Sequence, residues 1–118
     1  MSKTIIFHNP RCSKSREALK ILEQNNIDTK VVKYLEEQPS KEELKNIFTM
    51  LGLAQVREMM RTKEDIYKEL DLKNENDEEK LLQAMAEHPK LIERPILIKG
   101  NKAIIARPPQ KAEEFLKN

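Results

Sequence analysis

One sulfur and six guanidinium groups carry most of the reactive potential of this 118-residue sequence. Cys12 is its single cysteine, so no internal disulfide can form and no cysteine-based zinc cage can be built. It lies in His8-Asn9-Pro10-Arg11-Cys12-Ser13-Lys14-Ser15-Arg16, where an apolar stretch has ended and helical periodicity begins. Unpaired amides at a helix N-terminus favour negative charge, so a thiol placed there ionises more readily. Arg11, Lys14, Arg16 and His8 add positive potential, and Ser13 and Ser15 offer hydroxyl donors. The surroundings predict an electropositive, accessible, reactive cysteine, not an inert filler. Ser15 stands where a Cys-x-x-Cys pair would have its second thiol. Any disulfide at Cys12 is therefore shared with another molecule.

Arginine is used sparingly, six times against sixteen lysines. Arg94-Pro95 directly precedes an apolar strand and Arg107-Pro108 directly follows its partner in a hairpin. The two guanidinium groups are thus expected to converge, and arginine forks suit tetrahedral oxyanions. Other chemistries fare worse. His8 and His88 lack ligand spacing, so no metal site is expected. A phosphatase-type loop needs an arginine six positions after the cysteine, where this chain has Ala18. Gly52 and Gly100 are the sole glycines, which excludes a glycine-rich phosphate loop.

The elements that must position these groups follow from patterning. Lys3–His8 reads as a mostly buried strand, Ser13–Asn25 as an amphipathic helix, and Asp28–Tyr34 as a second strand around Val31-Val32. Residues from about 40 to 88 are helical in character. Ser40-Lys-Glu-Glu43 is a capping box, Leu44, Ile47, Phe48 and Leu51 form one apolar face, and Gly52 stops that helix. Short segments follow near Val56–Met60 and Glu64–Leu70, then a helix near Asp77–Glu87 with Leu81, Leu82 and Met85 inward. Ile96–Ile98 and Ala103–Ile105 make a hairpin around Gly100-Asn101, and Pro108-Pro109 opens a last helix to about Leu116. The order βαβ, helical insert, ββ, α predicts an α/β fold, a four-stranded mixed sheet flanked by helices.

Length allows one domain, 1–118, with the helical insert inside it. The 22 basic and 20 acidic residues leave a net charge of +2, and five aromatics are not clustered with basic residues, so no nucleic-acid partner is expected. No apolar run approaches the ~20 residues that span a bilayer, and Thr4–Phe7 is too short for a signal-peptide core. A cytoplasmic protein with no membrane association is the expectation.

The Cys12 segment resembles the ArsC family, the glutaredoxin-linked arsenate reductases, and in particular their short bacterial homologues. The likeness extends along nearly the whole chain through Tyr34-Leu35-Glu36, Pro39-Ser40, Arg57-Glu-Met-Met-Arg61, His88-Pro89, Glu93-Arg94-Pro95-Ile96 and Ala106-Arg107-Pro108. It implies a thioredoxin-like fold with an all-helical insertion and a cis Pro95. By the same likeness Cys12 is the nucleophile, His8 and Ser15 support the thiolate, and Arg61, Arg94 and Arg107 bind the oxyanion. Arsenate would be the substrate, glutathione a co-substrate and glutaredoxin the partner, with no bound cofactor and a monomeric chain. Spx-like regulators share this superfamily and bind RNA polymerase, but commonly carry Cys-x-x-Cys, which Ser15 breaks. A general glutathione-dependent thiol reductase is the remaining alternative, and a disulfide substrate would have no need of three arginines.

Overall fold

Apolar, β-branched stretches become the strands, and periodic stretches become the helices. The computed structural model describes residues 3–117. They divide into two compact units: Gln38–Glu93, and the residues before and after it.

The outer segments build a four-stranded sheet in the order β2-β1-β3-β4, with β1 (Thr4–Phe7), β2 (Thr29–Val32), β3 (Ile96–Lys99) and β4 (Lys102–Ile105). β1 runs parallel to β2, with Phe7 opposite Val32, and antiparallel to β3, with Phe7 opposite Ile96. β3 pairs antiparallel with β4 through the two-residue turn Gly100-Asn101. Gly100 takes φ 62°, the left-handed region that a missing Cβ permits. The fold is thioredoxin-like, as expected.

Helix α1 (Ser13–Gln24) connects β1 to β2, and α5 (Lys111–Leu116) follows β4. Ile6 and Leu97 are register partners and so share one face of the sheet. Against them pack Ala18 and Leu22 of α1, Ala112 and Phe115 of α5, and Ala106. Phe7 points to the opposite face and stacks on Tyr34 with ring centroids 6.1 Å apart and planes 12° from parallel. α5 begins two residues later than its prolines suggested. Pro108 and Pro109 form a preceding turn whose carbonyls accept from the Lys111 and Ala112 amides at 3.0 Å each.

The unit Gln38–Glu93 contains the expected helical insert and has no strand longer than an isolated bridge. Ser40 caps α2 (Lys41–Leu51) by accepting from the Glu43 amide at 3.1 Å, and Gly52 ends it at φ 67°. Leu44 and Ile47 are buried on the face their spacing predicted. Short α3 (Asp65–Glu69) leads to α4 (Glu78–Glu87), whose Leu81, Leu82 and Met85 are buried. Arg57 closes the intervening loop: Nε donates to Tyr67 Oη at 2.9 Å, and Nη2 reaches the carbonyls of Leu72 at 2.9 Å, Lys73 at 3.5 Å and Glu75 at 2.6 Å. Among the described residues no helix is long and apolar enough to cross a membrane.

Candidate active site

Topology alone gathers the chemistry at one end of the sheet. β1, β2 and β4 point the same way and β3 the other. The segments leaving β1, β2 and β4 and the one entering β3 therefore share an end. They carry His8–Cys12, Lys33–Glu36, Arg107 and Arg94, respectively.

The loop after β1 is tied to itself before it reaches the thiol. Asn9 Oδ1 accepts from the Arg11 amide at 3.0 Å, and the Asn9 carbonyl accepts from the Cys12 amide at 3.0 Å. Arg16 Nη1 donates to the Pro10 carbonyl at 2.9 Å. Cys12 is thereby held as the N-cap of α1, in extended backbone geometry at φ −94°, ψ 121°. Burial by itself would raise the thiol's pKa. The Ser15 amide, the Arg94 charge, the Lys14 amide and a hydrogen bond from the Arg94 side chain outweigh it, and the pKa lies below the ordinary thiol value. The electropositive cysteine expected from its neighbours is present, though its charge comes from Arg94, eighty-two positions along the chain. Its accessibility is less than expected: 9% of the residue is exposed. The α1 N-terminus and the converging loops cover what an isolated strand–helix junction would leave open.

Ser15 is fully buried. Its Oγ accepts from the Asn9 amide at 3.0 Å and pairs with His8 Nδ1 at 2.7 Å. His8 does not supply the positive charge the sequence suggested. Burial first, then the charges of Lys33 and Arg16, lower its pKa, so the neutral imidazole prevails at pH 7. Its contact is with Ser15, which fixes the first turn of α1 beneath the thiol. The sequence pointed to His8 and Ser15 as neighbours of the site and misjudged the charge of one, because ring burial is a tertiary property.

The two Arg-Pro steps converge as the hairpin predicted. Arg107 Nη1 donates to the Arg94 carbonyl at 3.2 Å, and the Ala106 amide donates to the Pro95 carbonyl at 2.9 Å. Pro95 follows a cis peptide bond, as expected, and Pro108 also follows one, which was not. Arg61 belongs to the helical unit. Its amide donates to the Leu91 carbonyl at 2.7 Å, and its Nη2 stands 3.4 Å from Glu64 Oε2, both side chains about a quarter exposed.

A thiolate-favouring cysteine beside convergent arginines, on a sheet of this order, matches one family throughout: a sequence model of the ArsC family fits residues 7–115. The chain belongs to the ArsC family. Within it, a protein of Neisseria meningitidis named arsenate reductase is 54% identical over 117 residues, covering 98% of this chain and 100% of its own. One from Haemophilus influenzae with the same name is 50% identical over 113 residues, covering 95% and 97%. The solved structure of a Vibrio cholerae ArsC relative, described as an arsenate reductase, superposes with a TM-score of 0.93 at 52% identity, covering 96% and 97%.

Lys33 escaped the sequence reading. The available signal was its place directly after β2, at the sheet end that also carries Cys12. Arg57 falls within the Arg57-Glu-Met-Met-Arg61 motif, and nothing in its sequence neighbours marks it as a structural clasp.

Proposed function

We propose that this chain reduces arsenate to arsenite, an oxidoreductase that works through a covalent adduct on Cys12. The observation carrying this reading is the pairing of Cys12 with Arg94, whose charge and hydrogen bond both favour the thiolate. The names of close relatives give the oxyanion. Arg94 and Arg107 hold arsenate and offset the charge that would repel an incoming thiolate. The same role for Arg61 rests on its motif.

In the first step the Cys12 sulfur forms a bond to arsenic(V), and one arsenate oxygen leaves as water after protonation. Glutathione thiolate then attacks the Cys12 sulfur. The sulfur–arsenic bond breaks, its electron pair stays on arsenic, and arsenite departs as arsenic(III). The two sulfurs, oxidised together, remain as a mixed disulfide. A glutaredoxin thiolate takes the glutathionyl group, and Cys12 leaves as thiolate, ready for another cycle. With Ser15 in place of a second thiol, resolution from outside is the route left open.

The test follows NADPH oxidation with glutathione, glutathione reductase and glutaredoxin, with and without arsenate. Arsenate-dependent turnover that disappears in Cys12→Ser is expected. Absence of turnover, with every other component shown to be competent, overturns the assignment and points to a different substrate of the same thiol.

A further inference from the structure

We propose that the depression between the His8–Arg11 loop and Lys33, Leu35 and Glu36 is the seat of glutathione, a deepening of the reductase reading that rests on it. The depression measures about 300 Å³, at the small end of the range for small-molecule sites. Its charges suit a zwitterionic peptide and not arsenate. Arg11 and Lys33 provide two cations, Glu36 a carboxylate, and Leu35 an apolar surface 38% exposed, one of three large hydrophobic side chains so exposed among the described residues. Glutathione presents two carboxylates and one ammonium, the reverse of this set. An oxyanion has no use for a carboxylate or a leucine in its site.

Among the described residues neither Arg11, Lys33 nor Glu36 enters an ion pair, so an incoming ligand displaces no internal partner. The wall carrying Lys33 is preformed: its carbonyl accepts from the Glu36 amide at 2.9 Å and the Glu37 amide at 2.8 Å, and its own amide donates to Glu37 Oε2 at 3.2 Å. The opposite wall is the Asn9-centred turn that leads directly into Cys12. Cys12 is not itself in the lining; it follows Arg11 directly, so a tripeptide held by residues 8–11 lies against the turn that carries the thiol.

The experiment has two arms. S-methylglutathione, which binds but cannot react, is titrated into the wild-type protein while backbone amide resonances are followed. Saturable shifts confined to residues 8–11 and 33–36, lost in Lys33→Glu and in Glu36→Lys, are expected. In the coupled assay, Lys33→Glu should raise the KM for glutathione about tenfold while the KM for arsenate changes less than about twofold. Shifts centred elsewhere, or absent while wild-type arsenate turnover persists, overturn the site and leave the reductase standing. Shifts at the site without arsenate turnover uphold it and remove the arsenate assignment. Equal effects of Lys33→Glu on both KM values make Lys33 part of the oxyanion site and overturn the proposal.

Discussion

In the helical unit Arg57 gives its donors to the Tyr67 hydroxyl and to three carbonyls; in the sheet unit Arg94 lowers the Cys12 thiol pKa through its charge and a side-chain hydrogen bond. Both are partly buried arginines, Arg57 in a short 3-10 turn and Arg94 in the loop before β3. The partners make the difference. Carbonyl oxygens do not titrate and do not react, so Arg57 holds a loop together and does nothing further. Sulfur does both, so Arg94 changes the chemistry of what it touches. A guanidinium is read as structural or functional from what accepts its protons.

That contrast can be broken at several points. The largest effect is expected at Arg94→Ala, where kcat/KM for arsenate should fall by about 2–4 kcal/mol of transition-state stabilisation. Alkylation of Cys12 by iodoacetamide across pH should then show its midpoint moved upward, because a charge and a hydrogen bond favouring the thiolate have gone. Arg57→Ala should do the opposite. Urea unfolding is expected to show a loss of about 1.5–3 kcal/mol, since partly buried carbonyls lose a charged donor, with the alkylation midpoint unchanged. An alkylation midpoint that moves as far in Arg57→Ala as in Arg94→Ala would erase the distinction.

How far the sequence anticipated this arrangement depends on the range of the interaction. The Ser40–Glu43 capping box, the Gly52 stop and the Gly100-Asn101 hairpin were legible because each is decided within four residues. That Arg107 lies beside the Arg94 backbone was legible because a hairpin is a local object with a calculable partner. The neutrality of His8 was not, since it depends on burial and on Lys33, twenty-five positions away. Nor was the clasp at Arg57, whose acceptors lie ten to eighteen residues downstream, beyond the reach of local patterning. Cys12 sits between the two cases: its helix terminus could be read directly, and its cover by distant loops could not.

Smaller effects sharpen the comparison. His8 has a folded pKa below its ordinary 6.5. Below that ordinary value the unfolded chain binds the proton more readily than the folded one, so stability is full above it and is lost as pH falls through the folded value. His8→Gln should flatten that part of a stability–pH curve measured by thermal unfolding. The smallest effect is expected at Glu64→Gln. Releasing Arg61 from a partly exposed ion pair should change stability by less than about 1 kcal/mol. If Arg61 serves the oxyanion, the same variant should lower the arsenate KM with kcat unchanged, as a competing carboxylate has been removed. An unaltered KM would place Arg61 with Arg57 among the structural arginines.

The buried hydroxyl of Ser15, fixed by Asn9 and His8, has a consequence for information as well as for chemistry. A chain with paired sulfurs can lock its oxidised form internally and keep a record of past exposure until something erases it. Here the position that would write such a record is an oxygen, engaged from both sides and inert. A disulfide at Cys12 is always held jointly with a second molecule and ends when that molecule leaves. The chain keeps no internal disulfide as a record of its own oxidation, which excludes a switch built on paired cysteines of this chain.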